Sequence, residues 1–151
     1  MEYAKGKIGR IFTVRIDHGE DLILELTKLS ELEHIKSAVF ILLGALQEGK
    51  LVTGPKESIR PPEPIWFDFE DTREILGIGN IFLEDGKPKL HLHVGAGREG
   101  SVKLGCLRGE NKVFMVVEAF VFELEGFSAR RVMDKKQGFS PVSFGKLPNS
   151  E

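Results

Sequence analysis

The chain has 151 residues and a formal net charge of −2, the size of one ordinary domain able to bury a real core. Its hydrophobic (41%) and charged (29%) fractions are ordinary for a soluble globular protein. The weakly acidic balance excludes the global positive field that would make nucleic acid the default partner. A single cysteine excludes an internal disulfide and fits a reducing compartment. Residues 1–8 hold no apolar signal-peptide core, and the longest apolar run, 38–43, is too short to span a bilayer. A cytoplasmic location, with no membrane partner, is the expectation by elimination.

Residues 10–16 read as a strand, with Ile11, Phe12, Val14 and Ile16 supplying β-prone bulk. His18-Gly19 is a turn. Residues 21–33 read as a helix, because Leu22, Leu26, Leu29 and Leu32 recur at helical spacing. Glu20 and Asp21 place negative charge at the positive end of its dipole. Residues 37–45 form a second strand, apolar on both faces and so expected to be central. Residues 50–53 suggest a short third strand. Pro55, Pro61, Pro62 and Pro64 make 54–64 an extended surface loop.

Residues 65–69 and 75–83 are further strands, with a short second helix expected near 70–74. Gly77-Ile78-Gly79 signals a bulge or a close backbone approach. The Asp85-Gly86 turn leads into a strand over 89–96. Gly97 to Gly100 reads as a second turn, and 102–107 as the return strand. Residues 112–124 form a long, nearly continuous apolar strand, and 128–133 one more. From Lys135 onward the chain reads as a Gly/Pro/Ser-containing tail that Phe139 and Phe144 could tuck down. With seven to nine strands and one or two helices, the fold class is α+β: a mainly antiparallel sheet with helix on one face.

The chemistry concentrates in His91-Leu92-His93 and Cys106. On a strand, residues two apart share a face, so the two imidazoles stand side by side. A four-residue turn over 97–100, paired symmetrically, sets His91 opposite Cys106. Opposed side chains share a face with Cβ atoms ~4.5–5.5 Å apart. Two imidazoles and a thiolate suit a transition metal with an open fourth position. Zinc is the first expectation, with nickel, iron and copper also suited to imidazole. The bland alternative is two polar residues on a solvated face and a small core cysteine.

Glu118 interrupts a strand face otherwise made of Phe114, Val116, Phe120 and Phe122, so it needs a partner. It is a candidate general base near the histidines, or else a salt-bridge partner of an Arg such as Arg130, or a residue at an open sheet edge. Arg98, at the hairpin tip, is a candidate anion clamp, with a solvated turn residue as the alternative. His18 and His34 read as surface residues. The 95–100 stretch is glycine-rich, but a strand follows it, which argues against a dinucleotide loop.

These residues in this order resemble the PPC (plant and prokaryote conserved) domain, over about residues 10–133. The resemblance rests on Gly19-Glu20-Asp21-Leu22, Gly44-Ala45-Leu46, Phe69-Glu70 and the run Ile75-Leu76-Gly77-Ile78-Gly79-Asn80-Ile81. Leu90-His91-Leu92-His93-Val94, Leu104-Gly105-Cys106-Leu107 and Val117-Glu118 complete it. The family pattern has a third histidine in a Gly-His-Leu motif, and here Gly105-Cys106-Leu107 stands in that place. The resemblance implies an imidazole-rich metal site and a homotrimer, and 11 Phe exceed what one small core needs. Plant members reach AT-rich DNA through a separate Arg-Gly-Arg-Pro segment, the AT-hook, which this chain lacks.

The expectation is therefore a single domain over 1–134 with a tail over 135–151, binding a divalent metal through His91, His93 and Cys106. Its role is a regulatory or DNA-associated binding module. The alternative is a small metal-dependent enzyme with Glu118 as proton acceptor and Arg98 as anion clamp. A third reading is a structural trimer.

Overall fold

The structure, a computed structural model, describes residues 1–145. It has ten strands and one helix: β1 (Lys7–Asp17), α1 (Leu22–Leu32), β2 (Ser37–Leu46), β3 (Gly49–Pro55), β4 (Pro64–Phe69), β5 (Arg73–Glu84), β6 (Lys87–Arg98), β7 (Ser101–Arg108), β8 (Val113–Glu125), β9 (Ala129–Arg131) and β10 (Val142–Phe144). They form one sheet in the order β1-β8-β2-β5-β6-β7-β3-β4. All pairs are antiparallel except β5 with β9. No described helix is long and apolar enough to cross a membrane.

Helix α1 begins where Asp21, in extended conformation, accepts a 2.8 Å hydrogen bond from Leu24 N, satisfying a free N–H of the first turn. The other Asp21 oxygen accepts from Asn111 N at 2.7 Å, so the cap also ties the helix to the start of β8. Leu22 and Leu26 are buried and Leu29 packs against the core, whereas Leu32 points to solvent. The helix therefore covers one sheet face. Phe40, Leu42, Ile81, Leu92, Val94, Leu107 and Val117 project from the sheet into that shared core.

Gly77 and Gly79 mark a close approach, since the β5–β6 register runs without a break. A Cβ on Gly79 would sit 2.8 Å from the His91 carbonyl oxygen and closer still to the Phe40 ring. The absent side chain is what lets Phe40 lie beneath β5 and β6.

The expected helix near 70–74 does not form. Arg73 already opens β5, and Glu74 pairs with Ala45 and Gly97 in the ladder. Beyond residue 134, β10 pairs with β9. Residues 146–151 of the expected tail lie outside the described residues.

The sheet face away from α1 carries the other half of each strand pattern. Ile41 of β2 lies opposite Ile78 of β5, and Leu43 opposite Leu76. Leu76 lies opposite Gly95, and Gly95 opposite Leu104. Ile41, Leu43, Leu76, Ile78, Val102 and Leu104 are all exposed. The strand expected to be apolar on both faces is central, and its second face forms part of this uncovered apolar band.

Candidate metal centre

Two hairpins build the centre. Asp85-Gly86 and Glu99-Gly100 both have positive φ at each position, the backbone of a two-residue type I′ turn. The second turn is thus tighter than the four-residue turn expected over 97–100, and Arg98 pairs with Ser101. This moves the β6–β7 register by two residues. Cys106 lies opposite His93, not His91. An even shift preserves the face, so all three side chains still share one surface.

The donors converge. His91 Nε2 lies 3.1 Å from His93 Nε2, and the rings meet edge to face at 4.9 Å between centroids. One donor atom from each of His91, His93 and Cys106 fits within a mutual separation of 4.8 Å. Tetrahedral zinc with bonds of about 2.0–2.3 Å sets its ligand atoms roughly 3.3–3.6 Å apart. The imidazole pair is at that spacing already, and Cys106 needs only a short approach, so the donor set fits a zinc-sized ion.

Charge around the centre is positive. Burial, followed by the charges of His93, Arg131 and Arg108, pushes the His91 pKa down to about 4. Its imidazole is neutral at physiological pH, the form that ligates. Burial raises the Cys106 thiol, while Arg108, a Leu92 backbone hydrogen bond and Arg131 pull it back. A metal ion binding there must displace the thiol proton.

The cluster lines a cleft of about 550 Å³. Leu90 contributes to its lining beside the histidines. Pro55 at the end of β3, Pro62 of the connection and Pro64 at the start of β4 also line it, together with Met133, Phe139 and Ser140. Arg108 is on the same face as Cys106, two residues along β7. Arg131 reaches in from β9 and donates from Nη2 to Asn80 Oδ1 at 2.6 Å. Asn80 is directly opposite His91.

Two sequence candidates fall outside this constellation. Glu118 is on β8, opposite Arg15 of β1 and Leu43 of β2. Strands β2 and β5 separate it from the histidines, a distance of roughly 14 Å at about 4.8 Å per strand. It has no ion pair with Arg130 or any other described residue, and within the chain it lies out of reach of this centre. Arg98 is five residues from His93 along β6, roughly 17 Å away at about 3.4 Å per residue. Its guanidinium donates to the Thr72 carbonyl at 3.2 Å and lies 3.7 Å from Asp71. The cations at the cleft are Lys89, Arg108 and Arg131 instead. Arg108 was within reach of an i, i+2 argument from Cys106. Arg131 had no local signal, because a long-range parallel pairing brings it in. His18 and His34 are exposed and distant from the cleft.

The sequence matches the Plants and Prokaryotes Conserved (PCC) domain over residues 3–125. The chain belongs to this family. A plant- and prokaryote-conserved (PPC) protein from Pyrococcus horikoshii is 30% identical, with a TM-score of 0.83 over 97% of this chain and 100% of that one. A metal-containing protein from Archaeoglobus fulgidus is 27% identical, with a TM-score of 0.82 over 93% of this chain and 98% of that one. A protein from Ralstonia eutropha JMP134, described as a candidate DNA-binding protein, shares the fold at 21% identity and a TM-score of 0.74, over 90% of each chain. No curated protein matches the sequence.

Proposed function

We propose that this PCC-domain chain is a homotrimeric, metal-binding regulatory module of the cytoplasm, holding one divalent ion, zinc first, through His91, His93 and Cys106. The observation that carries the reading is the convergence of three soft donors within 4.8 Å on one face. The relative from Archaeoglobus fulgidus, itself metal-containing, supports it. So does the depressed pKa of His91, which keeps that ligand neutral. The uncovered apolar band on the face away from α1 supports self-association. A lone thiol persists most readily in a reducing compartment.

Relatives described as candidate DNA-binding proteins extend the reading to DNA association. The net charge of −2 offers that extension no electrostatic drive.

Metal analysis of the purified protein beside His91→Ala/His93→Ala tests the site. Wild type should carry close to one ion per chain and the double variant close to none. Equal near-zero content in both ends the metal reading.

The cleft favours a second reading, a small metal-dependent enzyme. When bound, the ion would supply Lewis acidity and a more acidic water. With Glu118 and Arg98 both remote, this chain offers Arg108 and Arg131 to orient a substrate. His91 and His93 are committed as ligands, and no described carboxylate other than Glu84 lines the cleft.

A further inference from the structure

A site that binds a dication is ordinarily ringed by negative charge. This one is ringed by positive charge. The charged side chains lining the cleft, apart from the metal donors, are Glu84, Lys89, Arg108 and Arg131. Glu84 pairs with Lys89 at 3.5 Å and also faces the charge of Arg131, so one carboxylate stands against three cations and positive charge is in excess. Arg108 is exposed and makes no ion pair or side-chain hydrogen bond with any described residue. Arg131 uses Nη2 on Asn80 and Nη1 on the Ser140 carbonyl at 2.8 Å, while its Nε is buried without any acceptor. A buried donor left without an acceptor on a half-buried cation is expensive. Adding a metal ion beside two guanidinium groups whose charges already reach His91 and Cys106 raises the cost further, unless an anion enters with it.

We infer that the cleft takes a small molecule bearing an oxyanion group, a carboxylate or a phosphate, held by Arg108 and Arg131 beside the His91/His93/Cys106 centre. Guanidinium groups match oxyanions in geometry and bind them through charge-assisted hydrogen bonds. The apolar remainder of the ligand packs on Pro55, Pro64 and Phe139. The inference deepens the metal-site reading and rests on it for the placement of the anion next to the ion. It moves the anion clamp from Arg98 to two residues that frame the histidines.

The test is calorimetric titration of the full chain, zinc-loaded and chelator-stripped, with inorganic phosphate and separately with hexanoate. Whichever probe binds identifies the oxyanion. Arg108→Ala should weaken that binding by at least about tenfold, the loss of one charge-assisted contact. Lys103→Ala, a cation on the opposite face of β7, should leave it unchanged. Arg131→Met should weaken it as well. Should that variant unfold through loss of its tail contacts, Arg108→Ala alone decides, because Arg108 is exposed. Saturable binding by neither probe, or equal affinity in wild type and Arg108→Ala, overturns the inference. Zinc content measured on the same samples separates the two readings. Zinc present with no anion affinity sinks the anion pocket alone. Anion affinity in a wild type that never carries zinc sinks the metal centre alone.

Discussion

Replacing Leu76 by Asp tests whether the apolar band is an assembly surface. Leu76 is 71% exposed and stands mid-band, between Leu43 and Gly95 in its row. Full burial of a leucine is worth about 1.5–3 kcal/mol, so covering the exposed part of Leu76 returns roughly 1–2 kcal/mol per copy. The six side chains, 45–71% exposed, give a gross roughly 5–11 kcal/mol per face, against an association cost of about 4–15 kcal/mol. The balance is narrow enough for one residue to tip it. Leu76→Asp removes its own share and forces a carboxylate into the contact at a further several kcal/mol. At micromolar concentration, wild type should sediment at three times the chain mass and Leu76→Asp at one. Circular dichroism of the variant should match wild type, because Leu76 does not enter the core. A wild type that sediments as a monomer, or a Leu76→Asp variant that stays trimeric, refutes the assignment of the band to self-association.

Gly79→Ala should destabilise the chain by about 1–3 kcal/mol, because the new Cβ overpacks Phe40 and the His91 carbonyl. Tm should drop by about 2–4 °C per kcal/mol, and an unchanged melting curve would show that β5 and β6 can separate freely there. In the metal-stripped protein, His91 should stay neutral well below the ordinary histidine pKa of 6.5, titrating near 4 by NMR. A lowered pKa means that the unfolded chain takes up this proton first as pH falls. The contribution of His91 to stability is therefore full above pH 6.5 and declines from there toward pH 4. A His91 signal titrating near 6.5 would contradict the desolvated environment.

Much of this architecture is readable from the chain because its signals are local. The Asp85-Gly86 turn, the leucine spacing of α1 and the alternation along β6 each depend on neighbours a few residues apart. The turn at Glu99-Gly100 was harder. Glutamate is not a usual residue at a positive φ, so the flanking glycines drew the turn outward and the register with it. Parity alone saved the shared face of Cys106 and the histidines. The distance of Glu118 from the histidines has a different reason. Its own strand pattern says which face it takes, and says nothing of strand order. That order puts β8 between β1 and β2. Arg131 and Asn80 meet across 51 positions of sequence, through a pairing that no periodicity announces.

The cleft has two origins. Its donors lie on β6 and β7, inside the stretch that matches the family at residues 3–125. Arg131, Met133, Phe139 and Ser140 lie after that stretch and line the same cleft. The proposed ligands and part of the lining that surrounds them thus come from separate stretches of the sequence. Substitutions at these four residues would alter the lining of the cleft while leaving the three donors in place. The lining of one cleft is in this way open to change from the C-terminal side of the chain alone.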